Sequence, residues 1–207
     1  MNLKLPSLYT PTSPDDFIGP AAKVAVLLQR AVRDALEADK APIKVLFNGE
    51  PGIGKSALAK YLMHLLGCDP RWSVKKYNGT QVKIETVEEI ANDLHYRDMF
   101  GSYRLIWIEE ADVIPALAQV RFLTLLDDLP NGCAVVCTSN CKLDEFKKRF
   151  QTRFKIYEVE PPAPHEVETL LRKFLTNPRD ITNIATFACG NVRQALLDAE
   201  TSLQAAA

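Results

Sequence analysis

The stretch FNGEPGIGKSALAKYL, residues 47–62, decides how the rest of the chain is read. It crowds three glycines and a proline ahead of a lysine, between the apolar run IKVLFN at 43–48 and a helical stripe of Leu58, Leu62, Leu65 and Leu66. Gly49, Gly54, Lys55 and Ser56 satisfy G-x-x-x-x-G-K-[ST], with a strand before and a helix after. Glycines at these places let backbone N–H groups turn inward around phosphate oxygens, and the helix N-terminus adds partial positive charge. The spacing predicts a triphosphate cradle made of Gly49, Glu50, Pro51, Gly52, Ile53, Gly54, Lys55, Ser56 and Ala57. Lys55 is expected to bridge the outer phosphates, and Ser56 to offer its hydroxyl to Mg2+.

Outward from that loop, the chain alternates strands and helices. Val24, Leu27, Leu28, Ala31, Val32 and Ala35 keep a helical period, preceded by a Pro-, Ser- and Thr-rich stretch over 1–20 that is expected to run as an extended arm over the domain surface. Strands are predicted at 43–48, 73–78, 103–110, 133–139 and 153–160, with helices over 86–96 and 116–129 between them. This order predicts an α/β fold with a five-stranded parallel sheet and helices on both faces. EPPAPHE at 160–166 stops the last strand and sets up a helix, and Val167, Leu170, Leu171, Phe174 and Leu175 then form one helical face. Two further helical stretches follow, near 180–188 and 191–203. The expected organisation is a core over 1–161 and a small all-helical lid over 162–207.

Composition narrows the functional classes. With 25 Lys+Arg against 26 Asp+Glu, nothing global draws the chain to nucleic acid or membrane, so any polyanion contact must come from a local patch. No run approaches a membrane span and the start lacks a signal-peptide pattern, so a cytoplasmic protein without membrane partners is expected. The five cysteines include no C-x-x-C pair. The four-residue spacing of Cys133, Cys137 and Cys141 falls on a strand running into a loop, which scatters the side chains rather than gathering them on a metal. His64, His95 and His165 lie far apart and read as surface or packing residues.

A cradle binds phosphate but needs carboxylates to hydrolyse. RLIWIEEAD, residues 104–112, ends a strand in Glu109, Glu110 and Asp112, which places acids at the C-terminal sheet edge where ligands gather. Taken together, GEPGIGKS at 49–56 and IWIEEAD at 106–112 resemble the Walker A and Walker B segments of the AAA+ ATPases, and within them the sliding-clamp loader branch. Glu109 stands where that family has its metal-shell aspartate, and Glu110 matches the water-activating glutamate. CTSN at 137–140 is similar to sensor 1, with Asn140 at the strand end. FQTRF at 150–154 resembles the arginine-finger segment, with Arg153 as the finger, and GNVRQAL at 190–196 resembles sensor 2, with Arg193 reaching back from the lid. YNGT at 77–80 and SPDDFIGP at 13–20 match further clamp-loader segments, the latter bordering the adenine.

The resemblance implies ATP hydrolysis with Mg2+ in the shell of Ser56 and Glu109, and catalysis by Glu110, Asn140, Arg153 and Arg193. It also implies an oligomer of AAA+ subunits acting on DNA and a clamp during replication or repair. Basic residues near 147–155 and Arg121 are candidate phosphate contacts. The helical collar that clamp loaders carry after sensor 2 is expected to be absent. Two other readings stay open: a helicase-loader or initiator protein of the same family, acting on a helicase, and a weakly hydrolysing, nucleotide-dependent interaction module.

Overall fold

A computed structural model of the chain describes residues 5, 9–94, 103–141 and 148–205. Five strands form one sheet: β1 (Ile43–Asn48), β2 (Val74–Asn78), β3 (Arg104–Glu109), β4 (Cys133–Ser139) and β5 (Lys155–Glu158). Their order across the sheet is β2-β3-β4-β1-β5, and every pairing is parallel. β4 is buried at all seven positions, as expected of a central strand covered on both faces.

The pleat sorts the core in two. Val45, Phe47, Leu105, Trp107, Ala134, Val136 and Tyr157 point to one face. Against them pack α1 (Gly19–Glu37), through Val24, Leu28 and Val32, and α2 (Lys55–Leu65), through Leu58, Tyr61 and Leu62. Leu46, Ile106, Ile108, Val135 and Cys137 point the other way. They meet α3 (Ile84–Leu94), α4 (Ala116–Asp127) and the short α5 (Lys148–Gln151), whose Phe150 stacks between Phe122 and Phe154. Alternation of period two along each strand therefore serves two separate apolar layers. Cys133 and Cys137 are spent on this packing, and burial pushes the Cys137 thiol far up from its ordinary pKa.

After β5 come α6 (Pro164–Leu171), α7 (Pro178–Phe187) and α8 (Val192–Ala205). Val167, Leu170, Leu171, Ile181, Ala185, Ala195, Leu196 and Ala199 bury a third cluster among themselves, joined by Leu5 from the N-terminal arm. The arm is not wholly extended: Pro14–Asp16 form a 3₁₀ turn capped by Ser13, and α1 starts at Gly19.

β1 and β4 match the sequence reading, and the ends of the other elements differ from it by at most two residues. β3 stops at Glu109 because Glu110 adopts a left-handed conformation, φ 55° and ψ 52°, that ends the extended run. β5 is only Lys155–Glu158, and α4 ends at Asp127. α3 begins at Ile84, and the predicted helix end at 95–96, with His95, lies outside the described residues, as does Lys147. Among the described residues, no helix is long and apolar enough to cross a membrane.

Candidate nucleotide site

β1, β3 and β4 end side by side, and α2 begins immediately after β1's loop, so the chain ends gather over the carboxyl edge of the sheet. A chamber of about 450 Å³ opens there. Its walls include Pro51 to Ala57 from the loop, Glu109 and Glu110 after β3, Thr138 and Asn140 after β4, and Arg193 from α8. Tyr9, Asp16, Phe17 and Ile18 line it on the arm side. Of the expected cradle, Gly49 and Glu50 are not among the lining residues; their carbonyls accept from the Lys55 ammonium.

The loop geometry follows from its sequence. Gly54 is the N-cap of α2 and brings no side chain to satisfy the first-turn N–H groups, which leaves backbone donors at the helix's positive end. Lys55 is buried, and its ammonium donates to Gly49 O at 2.7 Å and Glu50 O at 2.6 Å. Burial, with Arg193's positive charge adding to it, lowers the Lys55 pKa from 10.5 to about 8, against the opposing pull of Asp112 and Glu50. An ammonium held at such a cost gains from any anion that enters.

Gly52 ties this loop to the C-terminal helices. Its carbonyl accepts Arg193 N–H at 3.0 Å, and its φ of 84° lies in the left-handed region. A Cβ there would sit 2.0 Å from Asn191 Oδ1, the atom that accepts Gln194 N–H at 3.0 Å in the first turn of α8. Gly52→Ala therefore costs ~1–2 kcal/mol for the backbone and about 1 kcal/mol for the displaced cap. At this chain length the melting temperature should fall by roughly 5–10 °C; thermal unfolding followed by circular dichroism measures it, and an unchanged melting temperature contradicts the contact.

The carboxylates are held individually. Ser56 Oγ donates to Glu109 Oε1 at 3.4 Å, while Lys76 Nζ lies 3.0 Å from Glu109 Oε2. Glu110 Oε2 accepts from Asn78 Nδ2 at 3.0 Å, and its N–H faces Thr138 Oγ1 at 3.4 Å. Asn78 is positioned in turn by Thr80 N–H and Thr80 Oγ, which donate to its Oδ1, and by Gln81 Oε1, which accepts its N–H. Gly79 must lack a side chain, since a Cβ would lie 2.0 Å from Glu110 O. Asp112 Oδ1 accepts Asn140 N–H at 3.4 Å, which joins the ends of β3 and β4.

Arg153 stands apart. It is not among the described residues lining the chamber, and it clasps Asp127 with both Nε (2.8 Å) and Nη2 (2.7 Å) while donating Nη1 to Arg149 O. This pairing lowers the Asp127 pKa and raises that of Arg153. Arg121 is likewise engaged, 3.4 Å from Glu88. Sequence reasoning passed over Tyr9, Lys60 and Lys76, which carry no motif spacing; Tyr9 and Lys60 line the chamber, and Lys76 touches Glu109.

A model of the ATPase family associated with various cellular activities (AAA) matches residues 45–161, which hold the sheet except for the first two residues of β1, the loop and both glutamates. The chain belongs to the AAA family of ATPases. Among solved structures, this AAA chain is similar to RuvB of Thermotoga maritima, a Holliday junction branch migration motor. The TM-score is 0.74 at 20% identity, over 91% of this chain and 63% of that one. Two substituted forms of that protein give 0.75 at 20% identity (92% and 64% covered) and 0.76 at 18% (91% and 63%). At such identity the likeness is one of fold, and the chain spans less than two thirds of those structures' length. No curated protein sequence matches it.

The residues fit a magnesium nucleotide. Ser56 and Glu109 set a hydroxyl and a carboxylate oxygen next to each other on the chamber wall, the hard oxygen donors that Mg2+ takes alongside phosphate.

Proposed function

We propose that this AAA chain binds and hydrolyses ATP and works as a nucleotide-switched, oligomeric motor or loader on DNA, in the manner of a clamp-loader subunit. The observation that carries the reading is the convergence, in one chamber, of the Gly52–Ser56 loop with Glu109 and Glu110. In this reading the loop amides and Lys55 bind the phosphates. Ser56 and Glu109 would hold Mg2+, which would offset phosphate charge there. Glu110 takes the proton of the attacking water, Asn140 orients that water, and Arg193 links the terminal phosphate to α8. Because Arg193 N–H is already bonded to Gly52 O, a change in phosphate contacts has a short route into the C-terminal helices. The division into a core over 1–161 and a lid over 162–207 belongs to this proposal, as does a cytoplasmic location.

Arg153 lies outside its own chamber, which suits a finger offered to a neighbouring subunit's nucleotide; such a residue raises turnover by ~10³–10⁵. The test is ATPase rate per chain against chain concentration, with and without primed DNA. The rate per chain should climb with concentration and rise further on DNA, and Arg153→Ala should flatten the curve without weakening nucleotide binding. A concentration-independent rate, unaffected by Arg153→Ala, contradicts the proposal. Replacing the primed template by a four-way junction separates a loader from a branch-migration motor.

A second reading, a weakly hydrolysing interaction module, is favoured by two contacts: Lys76 on Glu109, and Asp127 holding Arg153 within the same chain. It predicts tight ATP binding with little turnover at any concentration.

The Lys55 pKa gives a pH dependence with a definite sign. The free chain loses the Lys55 proton through about pH 8, whereas bound phosphate favours the charged form. Binding above pH 8 then takes up a proton, and affinity should fall by about tenfold per pH unit. For stability the folded value lies below the ordinary 10.5, so the unfolded chain holds more protons between pH 8 and 10.5 and this residue's contribution to stability grows with pH across that window. Nucleotide titrations from pH 7 to 9.5 check the first sign, and a flat profile opposes it.

A further inference from the structure

The contact between Lys76 and Glu109 has no place in the hydrolytic scheme, and it sits on the oxygen pair most sensitive to charge. Lys76 lies on β2, the edge strand, in register with Trp107 of β3, and Glu109 follows Trp107 by two residues on the same face. The pleat therefore puts the Lys76 side chain on the face that carries Trp107 and Glu109. Its ammonium lies 4.3 Å from the centroid of the buried Trp107 ring and 3.0 Å from Glu109 Oε2, so the indole face and the carboxylate hold it together. Glu109's other oxygen, Oε1, accepts from Ser56. One carboxylate thus has one oxygen on an ammonium and the other on the hydroxyl of the cradle.

We propose that Lys76 is a positioning residue that sets the magnesium affinity of this site. It pins Glu109 Oε2 so that Oε1 alone faces Ser56, and its charge competes with the divalent ion for the carboxylate. The inference rests on the nucleotide reading given above and deepens it. A glutamate is one methylene longer than an aspartate and has more ways to lie; the Lys76 contact removes that freedom on one side. It also partly neutralises the acidic group that Ser56 touches. Lys76 is 48% and Glu109 30% exposed, so solvent screens the pair and its influence is a factor of about two to five rather than orders of magnitude.

The experiment measures binding, not turnover. A fluorescent, non-hydrolysable ATP analogue is titrated into the full chain without Mg2+ and across a Mg2+ series, for wild type, Lys76→Met, Lys76→Arg, Glu109→Gln and the double variant. Lys76→Met should lower the Mg2+ concentration at half-effect by about two- to fivefold, leave Mg2+-free binding within twofold of wild type, and be restored by Lys76→Arg. In the Glu109→Gln background the same substitution should have no effect, since the carboxylate through which it acts is gone. An unchanged or raised midpoint in Lys76→Met overturns the inference, as does an equal drop in the Glu109→Gln background, which would make Lys76 a general field charge. Weakened Mg2+-free binding would mean that Lys76 touches the nucleotide itself and also overturns it. A wild-type chain that binds no analogue at any Mg2+ concentration would overturn the proposed function, and this inference with it.

Discussion

Lys55→Ala is expected to weaken ATP binding by at least about 100-fold while leaving the chain folded. The loss follows from the position of the ammonium, which is buried among carbonyls at the start of α2 and is the one basic side chain of the loop. A charge-assisted contact to phosphate is worth ~1.5–3 kcal/mol by itself, and about 2.7 kcal/mol already corresponds to 100-fold. Stability should move the other way from affinity. Burial disfavours the charged form of Lys55, so its removal relieves a penalty, and the melting temperature of the free chain should hold or rise. Fluorescent nucleotide titration together with thermal unfolding measures both. Binding equal to wild type in a folded Lys55→Ala chain would detach the loop from the nucleotide.

Glu110→Gln should separate binding from chemistry. The amide keeps the shape of the side chain and an oxygen that accepts from Asn78 Nδ2, so the left-handed turn at Glu110 and the chamber wall stay in place. It cannot take a proton from water, and removal of a general base costs on the order of 10²–10⁴ in rate. Single-turnover hydrolysis should therefore drop by at least about 100-fold with analogue affinity within a factor of about three. Equal loss of affinity and rate would make Glu110 a structural or binding group instead.

Much of this was legible before any coordinates. The alternation of apolar runs and helical stripes foretold the five-stranded parallel sheet, because the three inner strands, β1, β3 and β4, are covered on both faces and read as near-continuous apolar runs. The loop at 49–56 was legible because phosphate recognition by backbone needs glycines and a lysine at fixed spacing. The structure brings Asn140 and Arg193 to the same chamber as that loop. Lys76 was not legible: SVKKYN reads only as the second strand, and it is the register with β3 that places its second lysine beside Glu109. Nor was Tyr9, whose place on the chamber wall depends on how the arm folds back, with Leu5 in the third cluster and Tyr9 against Phe174. The partner of Arg153 was hidden for the same reason, since Asp127 comes from the end of α4 and no local pattern links the two. Contacts between distant segments carry no periodicity, so a sequence reading finds motifs more readily than the groups that hold them.

The central claim is that the backbone around Gly52 to Ser56 grips a nucleotide's phosphates with Glu109 and Glu110 alongside. An amide-resolved NMR titration with a non-hydrolysable ATP analogue and Mg2+ tests it most directly. The largest shifts should fall on the N–H groups of residues 52–57, with smaller ones at 109–110 and 193. Shifts confined to other surfaces, or none at saturating analogue, would contradict the account.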